Sequence, residues 1–141
     1  MNRARLAIAS AALAHFLAWA VSLYFAFYPC VYEGTTVTTQ TGITISESGC
    51  SGSLVTVNGL RVLLVLAVPV AITGLGLFAM ISNMVTYGVA RILLWSSGIS
   101  MALICLLGAL SVGVLYIPAA LAMIVAAIAG PLIAETDDQY A

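Results

Sequence analysis

The sequence predicts an all-α membrane protein: a four-transmembrane-helix bundle with a small, disulfide-bonded, β-rich loop on its extracytoplasmic side. Two observations carry that expectation. Four apolar runs, Leu6–Tyr28, Val62–Ile81, Ile92–Leu110 and Val114–Ala134, contain no Asp, Glu or Lys. The whole chain is 63% hydrophobic and only 6% charged, whereas a soluble domain carries about 25% charged residues. At about 1.5 Å per residue, each run can cross a hydrocarbon layer roughly 30 Å thick. Lipid offers the backbone no hydrogen-bond partners, so such runs must be helical. Residues 1–141 then form one integral membrane domain, with helices over 6–28, 62–81, 92–110 and 114–134 and an outer loop over 29–60.

The first run opens like a secretory signal, with Arg3 and Arg5 ahead of an apolar stretch, and Ser10-Ala11-Ala12 and Ala18-Trp19-Ala20 loosely imitate cleavage sites. It continues to Tyr28, however, past an h-region of about 7–15 residues, and is read as a retained helix. The outer loop that follows is rich in β-branched residues. Thr35–Gln40 and Ile43–Ser46 read as strands around a Thr41-Gly42 turn, and Leu54–Val57 as a third strand ended by Asn58-Gly59. Cys30 and Cys50 both fall in this loop, and an oxidising compartment would permit a disulfide between them. Two free thiols in a reducing niche are the alternative.

In the second run Pro69 removes the N–H that would meet the carbonyl of Val65, so a kink is expected there, with Gly74 and Gly76 close behind. The third and fourth runs are separated by little more than Ser111-Val112-Gly113, which makes them antiparallel neighbours. Pro118 is tolerable in a first helical turn. Small residues recur at four-residue spacing: Ser10, Ala14, Ala18 and Ser22 in the first run, Ala122, Ala126 and Gly130 in the fourth, Gly98 and Ala102 in the third. Such stripes let backbones approach in lipid, where little hydrophobic force holds helices together. They can serve packing within this bundle or an interface with another subunit.

Arginine placement sets orientation. Arg3, Arg5 and Arg91 fall on one side of the membrane and Arg61 on the other. The positive-inside rule puts the majority side, and with it both termini, in the cytoplasm, and the 29–60 loop outside the cytoplasmic membrane. Tyr24, Phe25, Phe27 and Tyr28 at one level and Tyr87 and Trp95 at the other suit interfacial belts. The absence of lysine and the abundance of alanine hint at a GC-rich prokaryotic genome.

Chemistry-bearing residues are few. A net charge of −1 with four arginines offers no surface for a polyanion, which argues against nucleic-acid partners. His15 is the single histidine and lies midway along the first helix. An ionisable residue there is a functional hypothesis, as ligand or proton relay. Its plainer reading is a neutral ring bonded to a serine or carbonyl of a neighbouring helix. Ser96, Ser97 and Ser100 form a polar group in the third helix, with Ser96 and Ser100 on one face. No base or G-x-S-x-G motif accompanies them, so no nucleophile is assigned. His15, Ser96 and Ser100 are the candidate intramembrane polar site. Cys105 reads as a buried apolar filler.

The three cysteines form no C-x-x-C pair of the kind used by quinone-linked disulfide-forming enzymes, and the first helix lacks the glutamate of small multidrug exporters. Four helices with a disulfide-bonded, β-rich first outer loop resemble the claudin-like layout, although the W…G-L-W signature is missing and the cysteines are farther apart. The stretch Leu110-Ser111-Val112-Gly113-Val114-Leu115-Tyr116-Ile117-Pro118-Ala119-Ala120 resembles a segment of small, uncharacterised bacterial four-helix integral membrane proteins. That likeness covers part of the chain and implies no activity. The expectation is a non-enzymatic membrane protein without a cofactor. It would be an accessory or assembly subunit whose partners are the lipid bilayer and other membrane subunits or copies of itself. The alternative is a homo-oligomeric channel or transporter for a small solute, lined by Ser10, His15, Ser22, Thr73 and the serines of the third helix.

Overall fold

A computed structural model describes residues 3–30, 32–40, 43–82, 85–109 and 112–130. In chain order the elements are α1 (Arg3–Phe27), β1 (Tyr32–Gln40), β2 (Ile43–Gly52), α2 (Leu54–Asn58), α3 (Arg61–Ile81), α4 (Tyr87–Leu107), a 3-10 turn (Gly113–Tyr116) and α5 (Ile117–Ala129). Three helices are long and apolar enough to cross a membrane, over Arg5–Phe27, Arg61–Ile81 and Gly88–Leu107. Of the fourth expected span, Gly113–Ala129 is an apolar helix among the described residues; it opens as a 3-10 turn, and Pro118 stands in the first turn of α5. Positions 131–134 of the expected helix lie outside the described residues.

The chain divides into two compact units, Ser22–Ala67 and Met1–Val21 with Val68–Ala141. The second unit is helical, and its core is built from small residues. Ala11 and Ala14 of α1 meet Leu94 of α4 and Met123, Ala126 and Ala127 of α5, with Leu77 and Met80 of α3 packed alongside. A second cluster joins Ala18 to Met101, Tyr116, Ala119 and Ala120, backed by Val70 and Cys105. The large side chains point the other way. Phe16 is 68% exposed and Leu107 86%, whereas Ala7, Ala11, Ala14 and Ala18 are fully covered. In water each such exposed side chain would forfeit about 1.5–3 kcal/mol of burial; against lipid tails that penalty disappears, and close backbone approach decides the packing instead.

Two glycines close the connection between α4 and α5. The Gly113 N–H donates to the Gly108 carbonyl at 2.8 Å. A Cβ on Gly113 would stand 2.5 Å from the carbonyl carbon of Gly108, and one on Gly108 would stand 2.9 Å from Gly113 Cα. Both neighbours are backbone, so neither can step aside.

The other unit contains the hairpin. β1 and β2 pair antiparallel from Glu33 with Cys50 to Gln40 with Ile43, with an irregularity between Tyr32 and Glu33. The expected strands over Thr35–Gln40 and Ile43–Ser46 fall inside these two elements; the expected turn at Thr41-Gly42 lies outside the described residues. The expected third strand is corrected: Leu54–Val57 belongs to α2. Ser53 explains why. Its hydroxyl accepts the Thr56 N–H at 3.3 Å, and its carbonyl accepts the Thr56 hydroxyl at 2.8 Å. This N-cap satisfies a donor the first helical turn would otherwise leave unpaired. At the other end Gly59, at φ 72° and ψ −174°, takes a conformation nearly reserved for glycine and ends the helix. The β-branched run Val55-Thr56-Val57 lost to the two signals that flank it.

Candidate functional site

The polar centre of the helical unit is assembled on α1 around His15. Trp19 lies one turn further along the same helix, and its indole Nε1–H donates to His15 Nε2 at 3.1 Å. The two rings meet edge-on, with centroids 6.4 Å apart and planes at 87°. On the opposite side of the imidazole, Nδ1 lies 3.1 Å from the Thr73 hydroxyl of α3. Gly74 admits the ring to α3: a Cβ there would lie 3.3 Å from His15 Cε1. Thr73 is fully buried, and its hydroxyl donates back to the carbonyls of Pro69 at 2.9 Å and Val70 at 3.1 Å.

Donor counting fixes the proton positions. An indole nitrogen can only donate, so Nε2 must be an acceptor. The imidazole is therefore the neutral Nδ1–H form, Nδ1–H donates to Thr73, and the Thr73 proton goes on to the helix backbone. The result is a one-way chain from Trp19 through His15 and Thr73 to Pro69. Both ring nitrogens are engaged, so a metal or haem iron could take His15 only by displacing Trp19 or Thr73.

Pro69 is where this chain ends. A proline inside a membrane helix is tolerated when side-chain hydroxyls meet the backbone groups it disturbs. Within the other unit, Ser22 of α1 donates to the Leu66 carbonyl at 3.0 Å, one residue from the Val65 carbonyl that Pro69 deprives of its donor. His15 and Ser22 are seven residues apart on α1, as are Leu66 and Thr73 on α3.

The remaining predicted residues distribute as follows. Ser96 is exposed on α4, and its hydroxyl turns back to the Leu93 carbonyl at 3.0 Å. Ser100 is half-buried and Ser97 buried. The chain of bonds through His15 includes neither Ser96 nor Ser100. In the small-residue stripes, Ala14, Ala18, Ser22, Ala126 and Gly130 are buried, whereas Ser10 and Ala122 are half-buried. Gly98 packs against Ile124 of α5, and Ala102 is exposed. Cys105 is a free, half-buried thiol. Arg3, Arg5, Arg61 and Arg91 are all exposed.

Sequence reasoning placed His15 but missed two of its neighbours. Trp19 could have been found from its i,i+4 spacing, which puts both rings on one helix face. Gly74 could have been found only with a partner helix in view. At the outer loop, Cys30 bridges to Gly52 and Cys50 pairs with Glu33, so the ladder brings the two cysteines to the same end of the hairpin. Compared with family models, curated proteins and solved structures, the chain finds no match.

Proposed function

We propose that the chain is a non-enzymatic integral membrane protein of the cytoplasmic membrane, acting as an accessory or assembly subunit of a larger membrane complex. The observation that carries this reading is the inverted side-chain distribution of the helical unit. Alanines fill the interior while Phe16, Leu75, Leu103 and Leu121, one from each helix, stand 52–68% exposed. His15, Ser22 and Thr73 are engaged in internal bonds, which leaves these apolar faces as the surface through which the protein meets other molecules. Both termini sit inside and the hairpin outside, as the arginine distribution favours.

The same reading includes a Cys30–Cys50 disulfide that ties the hairpin to the end of α1. Its support is the ladder, in which Cys50 pairs with Glu33 and Cys30 bridges to Gly52, so that both cysteines fall at the same end of the hairpin. Closing a loop of about 20 residues would stabilise it by roughly 3 kcal/mol in the chain-entropy model. A two-stranded hairpin needs such support, since alone it is marginal in water.

A homo-oligomeric channel is the second reading, favoured by the exposed position of Ser96 on α4. A photo-crosslinking amino acid placed in turn at Phe16, Leu75, Leu103 and Leu121 in native membranes tests the first. An adduct with a different polypeptide from at least one position is expected. Adducts with lipid alone would overturn it, and adducts with the same chain would transfer the case to the channel.

A further inference from the structure

We propose that His15 is a proton-operated latch for the Trp19 indole. The direction of the hydrogen bonds sets the device. Trp19 donates to Nε2 at 3.1 Å, so that nitrogen must hold a lone pair. Protonation would place an N–H on Nε2, and two donors would then face each other across the same gap. The bond to Trp19 is lost and becomes a repulsion. On the other side nothing needs to change: Nδ1 donates to Thr73 in both the neutral and the protonated ring, and Thr73 passes its own proton to Pro69 and Val70. The link between α1 and α3 is retained while the indole is released.

The surroundings favour movement of the indole over movement of the imidazole. Trp19 is 46% exposed on α1, so nearly half of its surface has no protein neighbour. The imidazole is hemmed in by Gly74, where even one added carbon would come within 3.3 Å of Cε1. Among the described residues, the groups facing the ring are the Trp19 indole, the Thr73 hydroxyl and the Gly74 backbone. The titratable groups that α4 and the 3-10 turn bring to the neighbouring cluster around Ala18 are Cys105 and Tyr116. Arg3, Arg5 and Arg91 of the same unit are exposed.

The chain has two tryptophans, so Trp95→Phe isolates the Trp19 signal in the full-length protein reconstituted in lipid. The expected result is a Trp19 emission change with a one-proton slope across a pH series. His15→Gln, which can still accept from Trp19 and donate to Thr73, should abolish it. The indole N–H resonances of the unsubstituted protein give a second readout that requires no folded variant, and one of the two should move over the same series. A flat emission profile, a transition that survives His15→Gln, or two stationary indole resonances would each overturn the proposal.

Discussion

His15 illustrates how much one residue's meaning depends on neighbours distant in sequence. Its partner Thr73 is 58 positions away, beyond the reach of any local pattern. The sequence supports the expectation of a neutral ring bonded to a neighbouring helix, but names a serine or carbonyl as the acceptor. The acceptor is a threonine, and an indole occupies the ring's other nitrogen. Measured couplings between polar side chains in membrane helices average about 0.6 kcal/mol and reach about 1.7. A double-mutant cycle of His15→Ala and Thr73→Val, followed by unfolding in mixed detergent, should return a coupling inside that range. A coupling indistinguishable from zero would mean that the 3.1 Å contact contributes nothing in the membrane.

The elements show where patterns in the sequence are reliable and where they are not. Long runs without charge located α1, α3 and α4, because the bilayer imposes length and apolarity together. Boundaries were harder. α1 begins at Arg3 and α4 at Tyr87, each ahead of its apolar run, since the ends of a spanning helix can carry polar residues into the headgroups. The same logic fails in the loop. Over the four residues Leu54–Val57, β-branching cannot outweigh a bonded N-cap at Ser53 and the positive φ of Gly59. The α4–α5 connection depends on backbone contact that no periodicity announces. A Gly113→Ala substitution should therefore destabilise the protein by several kcal/mol, above the about 1–3 usual for overpacking, because the clash is with backbone. Gly98→Ala is the contrast: its added carbon would meet Ile124 at an ordinary 3.7 Å, and it should change stability by less than about 1 kcal/mol. Thermal unfolding of the two variants side by side checks the ordering.

At the scale of the whole molecule, the membrane and outer-loop readings make a joint prediction about thiol chemistry. If the hairpin is exported and Cys30 is joined to Cys50, denatured protein should take up one alkyl group, on Cys105, before reduction and three after it. Three adducts before reduction would place the loop in a reducing compartment or leave its cysteines apart. The small-residue stripes had two open uses in the sequence. The buried positions of Ala14, Ala18 and Ala126 assign those three to packing within one chain, and leave the large apolar side chains as the outward face. That division underlies the proposal that this protein works by association.

The mass and composition of the particle released from native membranes in a mild detergent, with the protein at its natural level, decide whether it works by association. A subunit of a larger complex gives a particle well above the 14.6 kDa of the chain, containing at least one other polypeptide in fixed ratio. A lone monomer in its detergent shell would contradict that reading, and a particle made only of this chain would favour the channel in its place.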